Sequence, residues 1–402
     1  MQIEIVKGFR DILPLESLKR QKIKEIIEKN FKLFGFLPIE TPTLEYDDFS
    51  KGKNEKDEAV SDRFKLKDKG NRDLALRYEF TFQLKRIFKE KPNIKLPFRR
   101  YQIGSVFRDE PISKDRYREF TQCDADIMGD EDINADAECI ALGDKICKEL
   151  EIKYKLKVNN RQLLNSILEN SNIKDKESVS RELDKLDKVG EEETKKNLIK
   201  LISKDQIEDL FSLLKKDIDF YLKKNFSGAK EVSELIELCK IYKIKIELSP
   251  SLVRGLSYYT GTIFEAYNEE IKGSIFAGGR YDNLIGTYVN KKIPAVGISF
   301  GRILDYPNTE PKTTEVLLIS IDQDKKTISI MNSLRENNIS CFMMKKINKA
   351  LDYASKSNIK FVIFLGKEEI KNKKIKLRNM DTGKENTYSE EDLILFLKKL
   401  KR

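Results

Sequence analysis

Residues Arg254-Gly255-Leu256-Ser257-Tyr258-Tyr259-Thr260-Gly261 put a cation, two phenols and two glycines on one short turn-and-strand. That grouping suits a small polar ligand held against a phosphate, because a guanidinium offers a planar fork to an anion and a phenol offers a polar tip on an apolar body. A second block, Phe276-Ala277-Gly278-Gly279-Arg280-Tyr281-Asp282, contains a glycine pair that lets backbone approach closely, followed at once by Arg280, Tyr281 and Asp282. A third group lies between residues 98 and 129. Arg108 sits at the end of one strand, Arg116 and Arg118 in or after a charged loop, and Phe120, Gln122, Asp124 and Asp126 alternate on the returning strand, so they share one face. An aromatic plate beside an arginine suits a stacked adenine ring. A fixed guanidinium fork can bridge an α-phosphate and a carboxylate. Glu79 and Thr81, two residues apart beyond a strand, point the same way and can receive an ammonium group.

These residues need elements to position them. Leu15 to Phe34 carries an apolar stripe (Leu18, Ile23, Ile26, Ile27, Phe31, Phe34) and predicts an amphipathic helix stopped by Gly35. The segment from Phe36 to Glu45 reads as extended, and its two prolines make it an edge or interface strand. Leu74 to Arg77 reads as a strand and Phe82 to Phe88 as a helix. Residues 98–108 and 120–128 read as two strands joined by a long loop of the kind that usually serves a function. A helix covers Asn134 to Leu150. The lysine- and glutamate-rich stretch 159–246 has no strand-like alternation and reads as a helical insertion with a break near Gly190. Ala295 to Phe300 is a strand running into a helix. Residues 307–314 are a linker by composition, and beyond them alternating strands and helices, with a hairpin formed by residues 374–380 and those after Asp381-Thr382-Gly383, imply a small α/β domain with a largely parallel sheet.

Composition narrows the function classes. The 402 residues carry a net charge of +10, with 36% charged and 39% hydrophobic residues. No apolar run approaches the ~20 residues of a membrane span, and the N-terminus lacks signal-peptide architecture. A cytoplasmic protein is expected. The basic balance fits either a polyanionic partner or a generic lysine-rich surface. The five cysteines form no C-x-x-C pair and the chain has no histidine, so free buried thiols are expected and a structural zinc site is not. A hard cation held by carboxylates and substrate phosphates is compatible with the chain.

Taken together, the motifs resemble a known family. Residues 99–110 (Arg-Arg-Tyr-Gln-Ile-Gly-Ser-Val-Phe-Arg-Asp-Glu) and 116–126 (Arg-Tyr-Arg-Glu-Phe-Thr-Gln-Cys-Asp-Ala-Asp) resemble motif 2 of class II aminoacyl-tRNA synthetases. The second segment is similar to archaeal and eukaryotic histidyl-tRNA synthetases, and the blocks at 254–261 and 276–282 resemble that family's paired signature segments. The helix before Gly35 with Pro42 resembles motif 1, residues 296–301 resemble motif 3, and residues 315–402 resemble the family's anticodon-binding domain. The resemblance covers nearly the whole chain. It implies an α+β fold: an antiparallel catalytic sheet with flanking helices (1–158 and 247–308), a helical insertion (159–246) and a C-terminal α/β anticodon-binding domain (315–402). It also implies a homodimer that takes L-histidine, ATP with Mg2+ as the substrate complex, and histidine tRNA, without a tightly bound cofactor or resident metal. Arg108 and Arg254 would flank the α-phosphate and the histidine carboxylate. Glu110, Arg116 and Phe120 would join Arg108 on ATP. Glu79, Thr81 and Gln122 would hold the amine, and Asp126, Tyr258 and Tyr259 the imidazole.

The chain departs from the family's pattern in three places. Ser257 stands where the family usually has aspartate. Leu304 stands where it usually has the motif 3 arginine, with Arg302 two residues early. Asp109 stands where bacterial members have a histidine after the motif 2 arginine. A shift of two residues turns a helical side chain through ~200°. Without any imidazole of its own, the protein cannot use histidine as a general base. The proton of the attacking ribose hydroxyl then goes to an adenylate phosphate oxygen or to the substrate's own ring. Two rival readings go with the departures: a catalytically silent paralogue acting as a regulatory subunit in histidine biosynthesis, and a synthetase for another amino acid.

Overall fold

The computed structural model describes residues 3–51, 62–112, 116–253, 258–268, 273–289, 291–301, 303–306 and 316–400. They fall into two compact units. The first is built on an eight-stranded sheet in the order β1 (Leu37–Pro38), β5 (Phe98–Phe107), β6 (Glu119–Met128), β11 (Ala295–Phe300), β10 (Ser274–Arg280), β9 (Thr262–Tyr267), β7 (Lys155–Asn160) and β8 (Glu247–Leu248). The interior pairs are antiparallel, and the two outermost strands pair parallel with their neighbours. The proline-bearing strand lies at an edge, where a missing ladder donor costs nothing. It is not one continuous strand: Leu37–Pro38 joins the large sheet, and Leu44–Tyr46 (β2) pairs instead with β4 (Asp73–Leu76) in a separate sheet that also holds β3 (Lys65–Lys67).

Alternation along the strands sorts the two faces of the large sheet. Cys123, Ala125 and Ile127 of β6 and Ile298 and Phe300 of β11 point into the main core. There they meet α1 (Pro14–Leu33), α2 (Ile133–Glu149) and α3 (Ala229–Ile241), which contribute Ile23, Ile27, Phe31, Ile140, Ile146 and Leu235. Helix α1 buries Ile23, Ile27 and Phe31 of the predicted stripe, with Ile26 and Phe34 partly buried beside them, and ends as its sequence requires: Gly35 takes φ +76° and the Phe36 N–H reaches back to the Phe31 carbonyl at 3.0 Å. The opposite face carries Gln122, Asp124, Asp126 and Ser299.

Between β7 and β8 the chain forms helices from Arg161 to Ile241, most of which close over their own core, including Leu163, Leu164, Ile167, Leu210 and Phe211. Asn160 caps the first of these helices through the Gln162 N–H. The second unit holds a five-stranded sheet in the order β13 (Cys341–Met344), β12 (Val316–Ser320), β14 (Phe361–Leu365), β15 (Ile375–Asn379), β16 (Glu385–Tyr388). β12 pairs parallel with β13 and β14, and β15 and β16 form the expected antiparallel hairpin; the expectation of a largely parallel sheet needs correction in that β15 also pairs antiparallel with β14, which leaves the sheet evenly mixed. Helical crossovers impose the first geometry. A turn around Gly383 too short for a crossover imposes the antiparallel pairing of β15 with β16. The helix Glu390–Lys399, capped by Ser389, packs Leu393 and Leu397 into this unit's core and was not anticipated. Among the described residues no helix is long and apolar enough to cross a membrane.

Candidate active site

The polar face of the large sheet holds two adjoining clusters. The first gathers around Arg108, just past the end of β5. Its guanidinium carbon lies 4.3 Å from the Tyr78 ring centroid and 5.0 Å from that of Phe120. Two aromatic rings thus hold the cation over their faces. Arg108 approaches Glu110 at 4.0 Å, and Glu110 is ion-paired with Arg116. Arg118 turns elsewhere: it pairs with Asp109 at 3.0 Å and its side chain lies over Gly8. Expected near the ligand face, it instead ties the N-terminal segment to the loop.

The second cluster sits deeper. Register places Arg100 of β5 opposite Asp126 of β6, and Asp126 opposite Gly297 of β11. Arg100 is fully buried and ion-paired with Asp126, and it donates to the Phe80 carbonyl at 3.1 Å. The Tyr281 hydroxyl donates to Asp126 Oδ1. Gln122 Nε2 donates to Ser299 Oγ at 3.0 Å, and Ser299 in turn bonds Asp124. Glu79 accepts the Phe82 N–H and bonds Thr81, so the two residues predicted to act together do touch. Tyr258 packs against Tyr259 and Tyr281 at centroid distances of 4.9 and 5.6 Å. Arg254 and Ser257 lie outside the described residues, as does Arg302.

Burial sets the electrostatics. It pushes Asp124 up to about 7 against the pull of Arg100 and Ser299. It raises Glu79 and Asp126 as well, each partly offset by Arg100 and by hydrogen bonds. The phenols of Tyr258 and Tyr281 are raised by burial and stay protonated donors. Lys85, buried over the Phe82 ring at 4.1 Å, is lowered to about 8 by the same cause.

Several buried polar atoms on this face have no protein hydrogen-bond partner among the described residues: Arg100 Nε and Nη1, Arg108 Nε, Gln122 Oε1, Asp124 Oδ1 and Asp126 Oδ2. Asp126 Oδ2 lies against Arg100 Nη2 as an ion pair without hydrogen-bond alignment. Six such atoms on β5, the residue just past it and β6 suit a polar ligand, because a buried polar atom without a partner costs stability.

The glycines explain the close spacing. A Cβ at Gly278 would fall 2.0 Å from the Gly297 carbonyl, one at Gly279 would fall 2.4 Å from the Thr262 carbonyl and 2.8 Å from the Tyr259 ring, and one at Gly297 would fall 2.0 Å from Asp126 Oδ1. Arg280 anchors the strand end. It binds Asp136 through Nε at 3.0 Å and through Nη2, and it donates to the Asp130 and Asp132 carbonyls at 2.9 and 3.1 Å.

Sequence reasoning assigned no role to Arg100, Tyr281, Ser299 or Tyr78. Tyr281 lay in a motif already singled out, so a signal existed. Arg100 and Ser299 also lay in quoted motifs, but their roles become visible only when strand register pairs them with Asp126 and Asp124. Among the described residues no three Asp, Glu or Cys side chains are placed to hold a metal ion. All five cysteines are buried, and none of them forms a disulfide.

A model of the histidyl-tRNA synthetase family matches residues 8–302, and a model of the anticodon binding domain matches residues 315–400. The chain is 36% identical over 415 residues to "Histidine--tRNA ligase 1" of Bacillus cereus, covering 96% of this chain and 97% of the relative. It is 34% identical to "Histidine--tRNA ligase" of Clostridium tetani, covering 98% of each. The structure is similar to histidyl-tRNA synthetase from Nostoc sp., with a TM-score of 0.88 at 25% identity and 99% of each chain covered. It shares its fold with an ATP phosphoribosyltransferase regulatory subunit/histidyl-tRNA synthetase from Bacillus halodurans, with a TM-score of 0.76 at 22% identity, covering 90% of this chain and 98% of that one.

Proposed function

The chain belongs to the histidyl-tRNA synthetase family and joins L-histidine to tRNA at the expense of ATP, and we propose that its pocket residues divide this work as follows. The histidine carboxylate attacks the α-phosphate of ATP, pyrophosphate leaves, and the histidyl group of the adenylate passes to the terminal ribose of the tRNA. Two anions meet in the first step, so positive charge must be in place where charge develops. Arg108, gripped by Tyr78 and Phe120, bridges carboxylate and α-phosphate, and Arg254 flanks the phosphate from the other side. Phe120 also carries the adenine, and Glu110 directs Arg116 toward the outer phosphates. Mg2+ enters on those phosphates as part of the nucleotide substrate.

Glu79, Thr81 and Gln122 receive the ammonium. Asp126 and Tyr259 bracket the ring nitrogens with Tyr258 beside them, and reading both nitrogens rejects isosteres lacking a hydrogen-bonding edge. The observation that carries this division is the set of unpartnered buried polar atoms on β5 and β6. A homodimer, a cytoplasmic location and the four-part domain division (1–158, 159–246, 247–308, 315–402) belong to the same proposal. The exposed Leu33, Leu37, Leu44 and Tyr46 support the dimer. Insertion and C-terminal domain would face tRNA, with Lys345, Lys346, Lys349, Lys371, Lys373, Lys374 and Arg378 on its phosphates.

ATP–pyrophosphate exchange tests the proposal. Exchange with histidine alone supports it. No exchange returns the regulatory reading, and exchange with another amino acid returns the third. Substituting Arg108 or Asp126 and finding unchanged exchange would remove those residues from their proposed roles.

A further inference from the structure

Two buried arginine–aspartate pairs involve strands of the large sheet, and they are built differently. Arg280 is saturated, with Asp136 on two of its nitrogens and the Asp130 and Asp132 carbonyls on the rest of its edge. Such a pair holds a fold together. Arg100 is fully buried, yet it donates only to the Phe80 carbonyl, lies unaligned against Asp126, and keeps Nε and Nη1 without a protein acceptor among the described residues. A buried guanidinium with unpaired N–H groups costs stability, so a structural role alone explains it poorly.

What Arg100 does meet is negative charge. Asp126 and Asp124 of β6 and Glu79 beyond β4 all feel its cation. Lys85 answers Glu79 from the helix Phe82–Glu90, the Tyr281 hydroxyl donates to Asp126, and Tyr258 and Cys139 of α2 also feel the charge of Asp126. We propose that Arg100 is a specificity-determining positioning residue that balances the charge of Asp126, so the pocket takes histidine with a neutral ring and without uptake of a proton. This rests on the reading of Asp126 as the residue that reads the imidazole.

The geometry gives the reason. Asp126 Oδ1 is engaged by the Tyr281 hydroxyl, while Oδ2, the oxygen beside Arg100, has no aligned donor. An imidazole N–H donated there meets a carboxylate whose charge is already compensated. An imidazolium there would place a second cation beside Arg100 in a dry site, where repulsion is strong. Remove Arg100, and the uncompensated carboxylate shares one extra proton with the ring.

The test is the pH dependence of the histidine KM in ATP–pyrophosphate exchange, with the ATP KM measured alongside to report an intact fold. In the unsubstituted enzyme the histidine KM rises as pH falls through the ring's pKa of ~6.5, approaching about tenfold per pH unit. In Arg100→Met the trend reverses, and KM falls as pH falls. Arg100→Lys restores the original direction. A ring-fluorinated histidine that stays neutral flattens the curve of the unsubstituted enzyme, which separates titration of the substrate from titration of Asp124. If Arg100→Met does not accumulate as folded protein, Arg100→Gln carries the same test, since it can still donate to the Phe80 carbonyl but brings no charge. An unreversed trend in these uncharged variants overturns the inference. Asp126→Asn distinguishes its failure from that of the reading beneath it: a histidine KM unchanged by that substitution means that Asp126 does not read the ring at all.

Discussion

Gly297→Ala puts a single methyl group where the site has no room for it. A Cβ at this position falls 2.0 Å from Asp126 Oδ1, 2.9 Å from its Cγ and 3.3 Å from the Ala125 carbonyl. The carboxylate cannot swing away freely, because Tyr281 and Arg100 hold it from two sides. Overpacking of this kind costs about 1–3 kcal/mol of stability. If the carboxylate yields, the site also loses a charge-assisted hydrogen bond to the substrate ring, about 1.5–3 kcal/mol. At 1.4 kcal/mol per factor of ten, that is roughly 10–150-fold in kcat/KM for histidine. Pyrophosphate exchange with separate histidine and ATP titrations reads the effect, and it should fall on histidine. Gly278→Ala is the comparator. Its Cβ meets the backbone carbonyl of Gly297 at 2.0 Å, which no side-chain rotation relieves, so it should lower the melting temperature before it alters specificity. A folded Gly297→Ala enzyme that keeps its histidine kcat/KM within about threefold would refute the reasoning that Asp126 is held in one working position.

Other substitutions probe neighbouring parts. Phe120→Leu removes a stacking plate worth about 1–3 kcal/mol; the ATP KM should rise roughly tenfold while the histidine KM moves less, and equal changes in both would contradict its assignment to adenine. Ser299→Ala leaves Gln122 Nε2 and a buried Asp124 oxygen unpaired, a loss of about 1–3 kcal/mol to be seen as a lower melting temperature and a weaker histidine KM. Asp124 gives a signed pH effect. Its folded value of about 7 lies above the ordinary carboxylate value, so the folded state holds the extra proton between the two and stability falls as pH rises across that window. The melting-temperature advantage of Asp124→Asn over the unsubstituted protein should therefore be larger at pH 8 than at pH 5, and a constant difference would show that Asp124 does not titrate there. Arg280→Met strands the buried Asp136 and should cost about 3–5 kcal/mol in denaturant unfolding.

Much of the pocket follows from local pattern. Phe120, Gln122, Asp124 and Asp126 share a face because side chains alternate along any strand, and Cys123, Ala125 and Ile127 confirm it by filling the core behind them. The close approach predicted at Gly278 and Gly279 is observed, since only backbone without a Cβ fits there. The break near Gly190 and the stop at Gly35 were equally legible, because a positive φ is open to glycine at no steric cost. Strand continuity and sheet direction were not. Residues 36–45 split between two sheets, and the hairpin that begins at Lys374 runs antiparallel to β14 as well, because pairing depends on partners that a local window does not contain.

By itself the sequence determined the family, the order of its elements and which side chains stand on the ligand face, since periodicity and motif spacing are local properties of the chain. Tertiary structure alone decided which of them meet. The pairing of Arg100 with Asp126, of Asp126 with Gly297 and Tyr281, and of Gln122 with Ser299 joins positions as far apart in sequence as 177 residues. Strand register sets the meetings on β5, β6 and β11, and a slip of one residue in β6 would have turned Gln122 and Asp126 into the core.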